Sequence, residues 1–227
     1  MRLIVVVEGQ TEEAVVGRIL SPYLNQLGVF VSVTIVGKQA QSKRSKKNGT
    51  PSGRGGGRYV RWRKDLAHIL RGDHGKDLRV TTLFDLYGLP DDFPEFKACS
   101  TITDTIKRCE QLEEALSRDI QDLRLVPYLQ RHELEALVLA SIDHLEDDFE
   151  DEDALEAIEK LRRDITALKP EEVNDGPQTA PSKRLAAIRG YRKVLHGPNA
   201  MEKAGLSHLR AQCPRFNEWI EKLEKLA

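Results

Sequence analysis

The chain opens with a strand–helix–strand pattern, and this pattern restricts the fold more than any other feature of the sequence. Residues 3–7 form an apolar, β-branched run, which predicts a fully buried strand. Apolar residues at helical spacing follow over residues 11–27, with an N-cap predicted at Thr11 and a stop at Gly28. The β-branched segment 29–37 predicts a second strand. Because a helix joins the two strands, they are predicted to lie parallel in a sheet of the α/β class.

The rest of the chain alternates between strand and helix patterns before it becomes mainly helical. A third strand is predicted to end at Asp85 and a fourth to cover residues 123–130, with helices at 59–70 and 103–118. Later helices are predicted at residues 154–168, 183–195 and 214–226. We therefore predict an α/β core at residues 1–145, with a basic loop at 38–64, and a helical C-terminal extension at 146–227 packed on the core.

Charge is distributed unevenly along the chain, although the net charge is only -1. Residues 14–64 contain eleven Lys or Arg residues and no Asp or Glu, whereas residues 146–156 are strongly acidic. A basic segment of this kind indicates a polyanionic partner or a solvated loop without a ligand, and charge alone leaves both interpretations open.

The compartment can be predicted from the apolar runs and the cysteines. No apolar stretch approaches the ~18 residues that a membrane span needs, so we expect no membrane association. The N-terminus becomes strand-like at once and does not resemble a signal peptide. Cys99, Cys109 and Cys213 are widely spaced and form no CxxC pair, which favours a reducing cytoplasm over a zinc site or a disulfide framework.

Acidic residues follow three of the predicted strands, at the edge where ligands bind in open parallel sheets. Glu8 follows the first strand, with Glu12 one helical turn later, and Asp85 ends the third. Glu133 and Glu135 follow the fourth strand. A single acid at a strand end is usually a cap or a solvated charge, but several brought together repel one another unless a cation lies between them. A hard divalent cation with oxygen ligands meets that need, so the set predicts a metal site.

Two of these acidic motifs resemble a known domain. VEGQTEE, followed by FDLYGLP, resembles the Toprim domain, whose first strand ends in Glu and whose third ends in Asp-x-Asp. The Glu-Gly-x-x-Glu form is similar to that of the Toprim nucleases of the overcoming-lysogenization-defect (OLD) group. Nearly the whole chain resembles the Toprim-like domain-of-unknown-function family four-two-seven-six, through VEGxTE, DxYG-P, HExEAL, NDGPxTAPSKR and HGP…GL…C-x-x-F-x-x-W. The resemblance implies a Toprim-like (Rossmann-like) parallel-sheet core with a helical C-terminal part.

The resemblance also implies roles for individual residues. In OLD-type nucleases both glutamates and the aspartate bind metal, later acids near a helix start serve a second metal, and a downstream lysine assists. Carried over residue by residue, this implies a principal Mg²⁺ or Mn²⁺ site held by Glu8, Glu12 and Asp85. It also implies a second metal site held by Glu133 and Glu135. Lys183 corresponds to the assisting lysine.

One position departs from the Toprim pattern. Tyr87 stands where the second Asp of Asp-x-Asp is expected, and it cannot serve as a carboxylate ligand. Either Glu12, Glu133 or Glu135 offsets the missing ligand, or catalysis is absent. Both outcomes remain open at this stage.

Two groups near these acids have a functional and a structural interpretation. His132 can order a ligand or act as a general base, or it can make a structural hydrogen bond at a helix start. Lys183 and Arg184 begin a predicted helix, and helix N-termini attract phosphate, but a surface pair of basic residues explains them equally well.

Aromatic and histidine residues elsewhere favour structural roles. His196 is predicted to end a helix together with Gly197. Trp219 lies at helical spacing with other apolar residues and is predicted to be core. Tyr59 and Trp62 lie among arginines and either stack on nucleic-acid bases or pack inward.

These observations predict a divalent-metal-dependent nuclease that hydrolyses phosphodiester bonds of DNA or RNA. By resemblance it works with a separate ATPase in phage or plasmid defence. The alternative is a non-catalytic binding or regulatory subunit of an ATPase complex that keeps the Toprim fold. The catalytic residues are predicted to be Glu8, Asp85, Lys183 and His132. Contacts to nucleic acid are predicted for Lys43, Arg44, Lys46, Lys47, Arg54, Arg58 and Arg184.

Overall fold

A parallel sheet of five strands lies at the centre of the computed structural model, which describes residues 1–37, 58–173 and 179–227. The strands are β1 (Arg2–Val7), β2 (Phe30–Ile35), β3 (Leu78–Asp85), β4 (Leu125–Val126) and β5 (Leu129–Gln130). Their order is β2-β1-β3-β4, with β5 also paired to β3, and every pair is parallel. The predicted parallel α/β core is confirmed.

Helices surround this sheet and make up most of the chain after β5. They are α1 (Gln10–Val15), α2 (Ser21–Gln26), α3 (Tyr59–Gly72), α4 (Phe96–Cys99), α5 (Thr105–Ile120), α6 (Glu135–Ala140), α7 (Glu152–Ile165), α8 (Pro181–Ala186), α9 (Lys193–Ala204), α10 (Leu206–Gln212) and α11 (Pro214–Glu224). A π-helical segment, Val16–Leu20, joins α1 to α2. No helix in the described part of the chain is long and apolar enough to cross a membrane.

The sheet is buried on both faces, which explains the unbroken apolar run of β1. Leu3, Val5 and Val7 point into a core shared with α1, α2 and the C-terminal helices. Val6 points the other way, into a second core that includes Trp62 of α3. Successive strand residues face opposite sides, so a strand covered on both sides needs residues that can be buried on each face.

The C-terminal helices pack on the same core as β1. Trp219 of α11 stacks on Tyr128 with ring centroids 4.5 Å apart, and its indole N–H donates to Thr81 Oγ1 of β3 at 2.9 Å. Trp219 is therefore a core residue, as predicted. Tyr59 and Trp62 are also buried, so of their two interpretations the structure bears out inward packing. A boundary between core and extension at residues 145 and 146 remains a prediction.

Three local predictions are wrong, each for a physical reason. Thr11 lies inside α1, which begins after an extended Gly9 (φ -155°), and not at the N-cap. The predicted fourth strand divides into β4 and β5, and Pro127, which has no N–H to donate to a ladder, lies between them. The predicted helix 183–195 is interrupted between α8 and α9, where Gly190 has a φ of 79°.

His196 is a further correction. It was predicted to end a helix, but it lies inside α9 with Gly197 and Pro198, and all three are buried. Its Nδ1 accepts a hydrogen bond from the backbone N–H of Arg192 at 3.1 Å, so it stabilises the first turn of that helix.

Candidate functional site

Glu8 and Asp85 meet because they leave neighbouring parallel strands at the same edge of the sheet. Val7 of β1 is in register with Leu83 of β3, so the residues that follow them are also neighbours. The backbone N–H of Asp85 donates to Glu8 Oε1 at 2.7 Å. The first and third strand ends therefore bring their acids together, as the sequence predicted.

The fourth strand region adds its residues to the same edge. β5 pairs with the end of β3, and the chain then turns toward α6. The backbone N–H of Leu134 donates to Asp85 Oδ1 at 2.7 Å. Glu135, the first residue of α6, is 1% exposed and lies near Asp85, whose pKa its charge raises. Glu135 thus joins the group of Glu8 and Asp85.

A lysine that the sequence did not predict lies among these carboxylates. Lys193 is the first residue of α9, and its Nζ lies 2.7 Å from Glu135 Oε1 and 3.9 Å from Glu12 Oε1. Glu12 lies on α1, and the π-helical segment that continues α1 is held to α9 by a hydrogen bond from Arg18 to Asn199 Oδ1 at 2.9 Å. We call the five side chains Glu8, Glu12, Asp85, Glu135 and Lys193 the carboxylate cluster.

Two glycines leave room for the carboxylates of this cluster. A Cβ on Gly88 would lie 2.8 Å from Glu8 Oε2 and 3.2 Å from Glu8 Oε1. A Cβ on Gly9 would lie 3.0 Å from Glu12 Oε2. The glycines of the VEGQTEE and FDLYG motifs are therefore explained by the close approach of acidic side chains to the backbone, since any other residue would displace a carboxylate.

The environment of the cluster favours neutral carboxyl groups. Burial, followed by the charge of Glu12, raises the pKa of Glu8 to about 8, against the hydrogen bond from Asp85 and the charge of Lys193. Burial and the charges of Glu8 and Glu135 raise the pKa of Asp85 well above its ordinary value. Burial also raises the pKa of Glu135, while Lys193 lowers it. One ammonium is thus too little positive charge for four carboxylates.

The pKa of Lys193 is also raised, but in a lysine this favours the charged form. Burial lowers this pKa, but the charges of Glu135, Asp85 and Glu12 outweigh burial, so the pKa of Lys193 lies above its ordinary value. The lysine is therefore an ammonium ion at neutral pH, and it is the cation of the cluster.

Four buried polar atoms in or beside the cluster lack hydrogen-bond partners among the described residues. They are His132 Nε2, the hydroxyl oxygen of Tyr191 and both carboxylate oxygens of Glu135. Of the two Glu135 oxygens, Oε1 forms an ion pair with Lys193 and Oε2 has no partner. Burial and the charge of Glu135 raise the pKa of Tyr191, which places its hydroxyl in the field of that carboxylate. An unsatisfied buried carboxylate oxygen is costly, so a ligand that contacts it gains free energy.

The donor atoms of the cluster are of the type that a hard cation prefers, but their positions do not form a metal site. All these donors are carboxylate oxygens, which Mg²⁺ and Mn²⁺ prefer. Within the described residues, however, no three Asp, Glu, His or Cys side chains are grouped so that they could hold one metal ion. The ammonium of Lys193 lies where such an ion would neutralise Glu12 and Glu135.

Glu133 is directed away from the cluster. Its two carboxylate oxygens accept hydrogen bonds from Ser182, one from the backbone N–H and one from the hydroxyl, both at 2.9 Å. Glu133 therefore holds the start of α8, while Glu135 faces Glu12 and Lys193. A second metal site of Glu133 with Glu135 remains a prediction, and here these two side chains have different partners.

His132 and Tyr87 form a pair next to the cluster. His132 is 2% exposed, and its Nδ1 lies 3.0 Å from the hydroxyl of Tyr87, which is 40% exposed. Burial and the charge of Arg131 lower the pKa of His132 to about 4, so its imidazole is neutral at pH 7. The tyrosine in place of the second Toprim aspartate thus has a hydrogen-bonding partner of its own.

The predicted basic residues are spread over several places. Lys183 lies exposed on α8, and the lysine that reaches the carboxylates is Lys193. Arg184 donates from Nε to the Thr179 carbonyl at 2.8 Å. Arg58, before α3, lies 3.4 Å from Asp92 Oδ2. The predictions for Lys43, Arg44, Lys46, Lys47 and Arg54 fall outside the described residues.

An open cavity lies beside the N-terminal half of α9 and is separate from the carboxylate cluster. It has a volume of about 410 Å³ and is lined by residues 148–151 together with Arg189, Gly190, Arg192 and His196. None of the carboxylates of the cluster lines it. The carboxylate cluster is the stronger candidate site because it combines unsatisfied buried oxygens with perturbed carboxyl groups.

Sequence reasoning missed Lys193 and Tyr191 because both lie in a segment that was predicted to be one helix. The signal that could have found them is the Gly190 between two helical patterns, which marks a turn. A turn at that point starts a new helix with Tyr191 and Lys193 near its beginning, where side chains can reach a neighbouring sheet edge.

Comparisons with known proteins agree with the predicted family. A search of curated proteins finds no match. Among solved structures, the chain is similar to the C-terminal region of the Burkholderia pseudomallei OLD protein, with 18% identity over 99% of this chain and 98% of that one and a TM-score of 0.42. The model of the family described as "Domain of unknown function (DUF4276)" matches residues 7–224, and the chain therefore belongs to this family.

Proposed function

We propose that the protein is a divalent-metal-dependent nuclease that hydrolyses phosphodiester bonds in nucleic acid. The observation that carries the proposal is the carboxylate cluster, in which four acids from three strand ends surround one ammonium and one buried carboxylate oxygen has no partner among the described residues. Structural charges are normally paired and fully hydrogen bonded, whereas a surplus of buried negative charge is typical of a site that binds a cation.

The residues of the chain have distinct roles in this proposal. Glu8, Asp85 and Glu12 would hold Mg²⁺ or Mn²⁺, with Glu135 as a fourth oxygen donor. When bound, the metal would activate water and stabilise charge on the leaving oxygen. Asp85 is oriented by the N–H of Leu134 and Glu8 by the N–H of Asp85, so the backbone fixes both carboxylates before a metal arrives.

Positive side chains would bind the phosphates. Lys193 is closest to the carboxylates and would neutralise charge on the phosphate at the site of hydrolysis. Lys183, Arg184 and Arg58 would contact phosphates farther along the strand, together with the basic residues of the segment 38–57. Neutral His132 could accept a proton through Nδ1 once Tyr87 moves.

The cellular role follows from the resemblance of the motifs to those of OLD-type nucleases. In this proposal the chain acts in the cytoplasm with a separate ATPase subunit, in defence against phages or plasmids. Co-purification of the chain with an ATPase encoded beside it, followed by an ATP-dependent change in hydrolysis, would support the partnership. A chain that cleaves nucleic acid equally well alone and with that ATPase would contradict it.

The proposed activity is tested by incubating the protein with single- and double-stranded DNA and RNA in the presence of Mn²⁺ or Mg²⁺. We expect metal-dependent cleavage that chelator abolishes. Asp85→Asn should remove the cleavage, because it replaces a carboxylate that would bind the metal with a neutral amide. Asp143→Asn is a matched control, since Asp143 is exposed and pairs with Arg162 at 2.8 Å. Cleavage that survives Asp85→Asn would contradict the proposal.

A non-catalytic binding or regulatory subunit is the second candidate. Tyr87 favours it, because this side chain replaces a carboxylate ligand and contacts His132. The absence of a three-residue metal group within the described part of the chain also favours it. Melting with and without Mg²⁺ separates the two: a cation site raises the melting temperature by mass action, whereas a scaffold without one does not respond.

A further inference from the structure

Lys193 occupies a position that a divalent cation would also need. Its Nζ contacts Glu135 at 2.7 Å and lies 3.9 Å from Glu12, and its charge acts on Glu8 and Asp85 as well. An ammonium this close to the carboxylate oxygens repels a divalent ion placed on the same oxygens. Binding of one therefore opposes binding of the other.

The structure allows Lys193 to leave more easily than its carboxylate partners. Its side chain is 44% exposed, whereas those of Glu135 and Glu12 are 2% and 7% exposed. Lys193 is the first residue of α9, where a long side chain can turn toward solvent without disturbing the packing of the helix. Glu12 and Glu135, in contrast, are buried side chains of α1 and α6 that pack at the edge of the sheet.

Glu135 Oε2 shows that the ammonium does not satisfy the cluster. This oxygen is buried and has no hydrogen-bond partner among the described residues, although Oε1 of the same carboxylate lies beside Lys193. A cation that contacts both oxygens would satisfy an atom that the lysine leaves unpaired. The lysine thus satisfies fewer oxygens of the cluster than a divalent ion that contacts both oxygens of Glu135 would.

We propose that Lys193 is an exchangeable counter-ion that suppresses divalent-cation binding until a phosphate draws its ammonium out of the carboxylate cluster. A phosphodiester that approaches the open side of the cluster offers the ammonium a new anion and at the same time opens the oxygens of Glu135 and Glu12 to a metal. The cation and the phosphate therefore bind cooperatively. The increase in affinity that each causes for the other is larger than their direct contact explains. This inference rests on the proposed function, of which it specifies the order of binding.

The exchange predicts an effect that a permanent structural lysine would not have. Removing the charge with Lys193→Met should make Mn²⁺ alone bind more tightly, by about tenfold, within the range usual for coupled sites. A thymidine 3′,5′-bisphosphate probe should increase Mn²⁺ affinity strongly in the wild type and much less in Lys193→Met. Lys193→Arg keeps the positive charge and should retain the weak Mn²⁺ binding of the wild type.

Isothermal titration calorimetry with Mn²⁺ tests this, in the absence and presence of the bisphosphate. Lys203→Met is the matched control, because Lys203 lies on the same helix and pairs with Asp148 at 2.9 Å and Asp147 at 3.4 Å, outside the cluster. Its Mn²⁺ affinity should equal that of the wild type. Thermal melting in chelator identifies any variant that does not fold. The effect of the bisphosphate on the Mn²⁺ affinity of the wild type tests the inference even if a variant fails to fold.

The outcomes separate this inference from the proposed function. Tighter Mn²⁺ binding in Lys193→Met, with a reduced bisphosphate effect, supports the exchange. Equal or weaker Mn²⁺ binding in a folded Lys193→Met, or a wild-type affinity that the bisphosphate leaves unchanged, overturns it even if the protein cleaves nucleic acid. Failure to cleave any nucleic acid overturns the proposed nuclease activity. The Mn²⁺ titrations still measure whether Lys193 and the cation compete for the carboxylates.

Discussion

The molecule contains two buried groups of charged residues, and they are built in opposite ways. The carboxylate cluster has four acids, one ammonium and a carboxylate oxygen without a partner among the described residues. The second group, which we call the α11 anchor, consists of Glu113, Arg215 and Glu171, all less than a tenth exposed. One group is rich in unbalanced negative charge, and the other is paired.

In the α11 anchor, the buried carboxylates have matching donors. Glu113 Oε1 accepts from Arg215 Nη2 at 2.5 Å and from the backbone N–H of Leu129 at 2.7 Å. Glu171 accepts from the backbone N–H groups of Arg215 and Phe216, at 2.9 and 3.1 Å, in the first turn of α11. The anchor thus ties α5, β5 and α11 together and leaves no site for a ligand.

The difference between the two groups separates structure from function. Buried charge that serves only the fold is stabilised by partners within the fold, as in the α11 anchor. Burial raises the pKa of the carboxyl groups in both regions, including those of Glu113 and Glu171. In the carboxylate cluster neighbouring acids raise it further, so this cluster is also destabilised by mutual repulsion. Such a group is retained when a ligand completes it.

The largest expected effect comes from breaking the α11 anchor. Arg215→Met leaves the carboxylate of Glu113 buried without its charged partner, and we expect a loss of about 3–5 kcal/mol in the free energy of unfolding. Chemical denaturation measures it. Arg189→Met is the matched control, because Arg189 lies exposed, 3.3 Å from Asp153. The comparison fails if the two variants lose similar stability.

A smaller effect is expected from pH, through the raised pKa of Glu8. Its carboxyl group ionises near its ordinary pKa of 4.5 in the unfolded chain and at about 8 in the folded one. Between these values the folded state binds more protons than the unfolded state, so stability falls as pH rises. After allowance for the partial exposure of Glu8, we expect a loss of about 2 kcal/mol across this range.

Glu8→Gln should flatten that pH dependence, since glutamine does not titrate. Urea denaturation of the metal-free protein across the same pH range measures the change. A wild type whose stability rises between about pH 4.5 and about pH 8 relative to Glu8→Gln would mean that the fold stabilises the ionised carboxylate of Glu8, and would contradict the raised pKa.

Gly88→Ala tests whether the cluster depends on close packing against the backbone. The new Cβ would lie 2.8 Å from Glu8 Oε2, so the carboxylate must move. We expect a loss of about 1 kcal/mol in stability and a roughly tenfold loss in divalent-cation affinity. Gly17→Ala is the control, because nothing lies within 4 Å of its added Cβ. Equal cation affinity in both variants would show that the position of Glu8 is unimportant.

The smallest effect is expected from two tyrosine hydroxyls. Tyr87→Phe removes the hydroxyl that lies 3.0 Å from His132 Nδ1 and should cost roughly 0.5–1 kcal/mol of stability. Tyr191→Phe removes a buried hydroxyl without a hydrogen-bond partner in the described structure, and should be neutral or stabilising in the metal-free protein. Thermal melting in chelator distinguishes the two, and a larger loss for Tyr191→Phe would mean that this hydroxyl is satisfied in the folded protein.

The central part of the fold could be predicted because strands buried on both faces have a strong pattern. β1 is apolar over residues 3–7, β3 is β-branched or apolar over residues 80–84, and a helix joins β1 to β2. The edge elements could not be predicted so well. β4 and β5 have two residues each, and their pairing with β3 depends on tertiary contacts that periodicity does not record.

The candidate site was foreseeable only where acids follow strands directly. Glu8 and Asp85 are neighbours because parallel strands end at one edge, and this can be argued from the sequence. Lys193 reaches the same edge through the packing of α9 against α1, which connects residues far apart in the chain. The different partners of Glu133 and Glu135 also depend on the positions of α8 and α9.

The central claim is that the carboxylate cluster awaits a cation whereas the α11 anchor is complete, and melting of Glu8→Gln and Glu113→Gln tests it most directly. In chelator, Glu8→Gln should melt at or above the wild type and lose most of the rise that Mg²⁺ causes. Glu113→Gln should melt below the wild type in chelator and keep that rise. The claim is contradicted if Glu8→Gln melts lower in chelator and responds to Mg²⁺ as the wild type does.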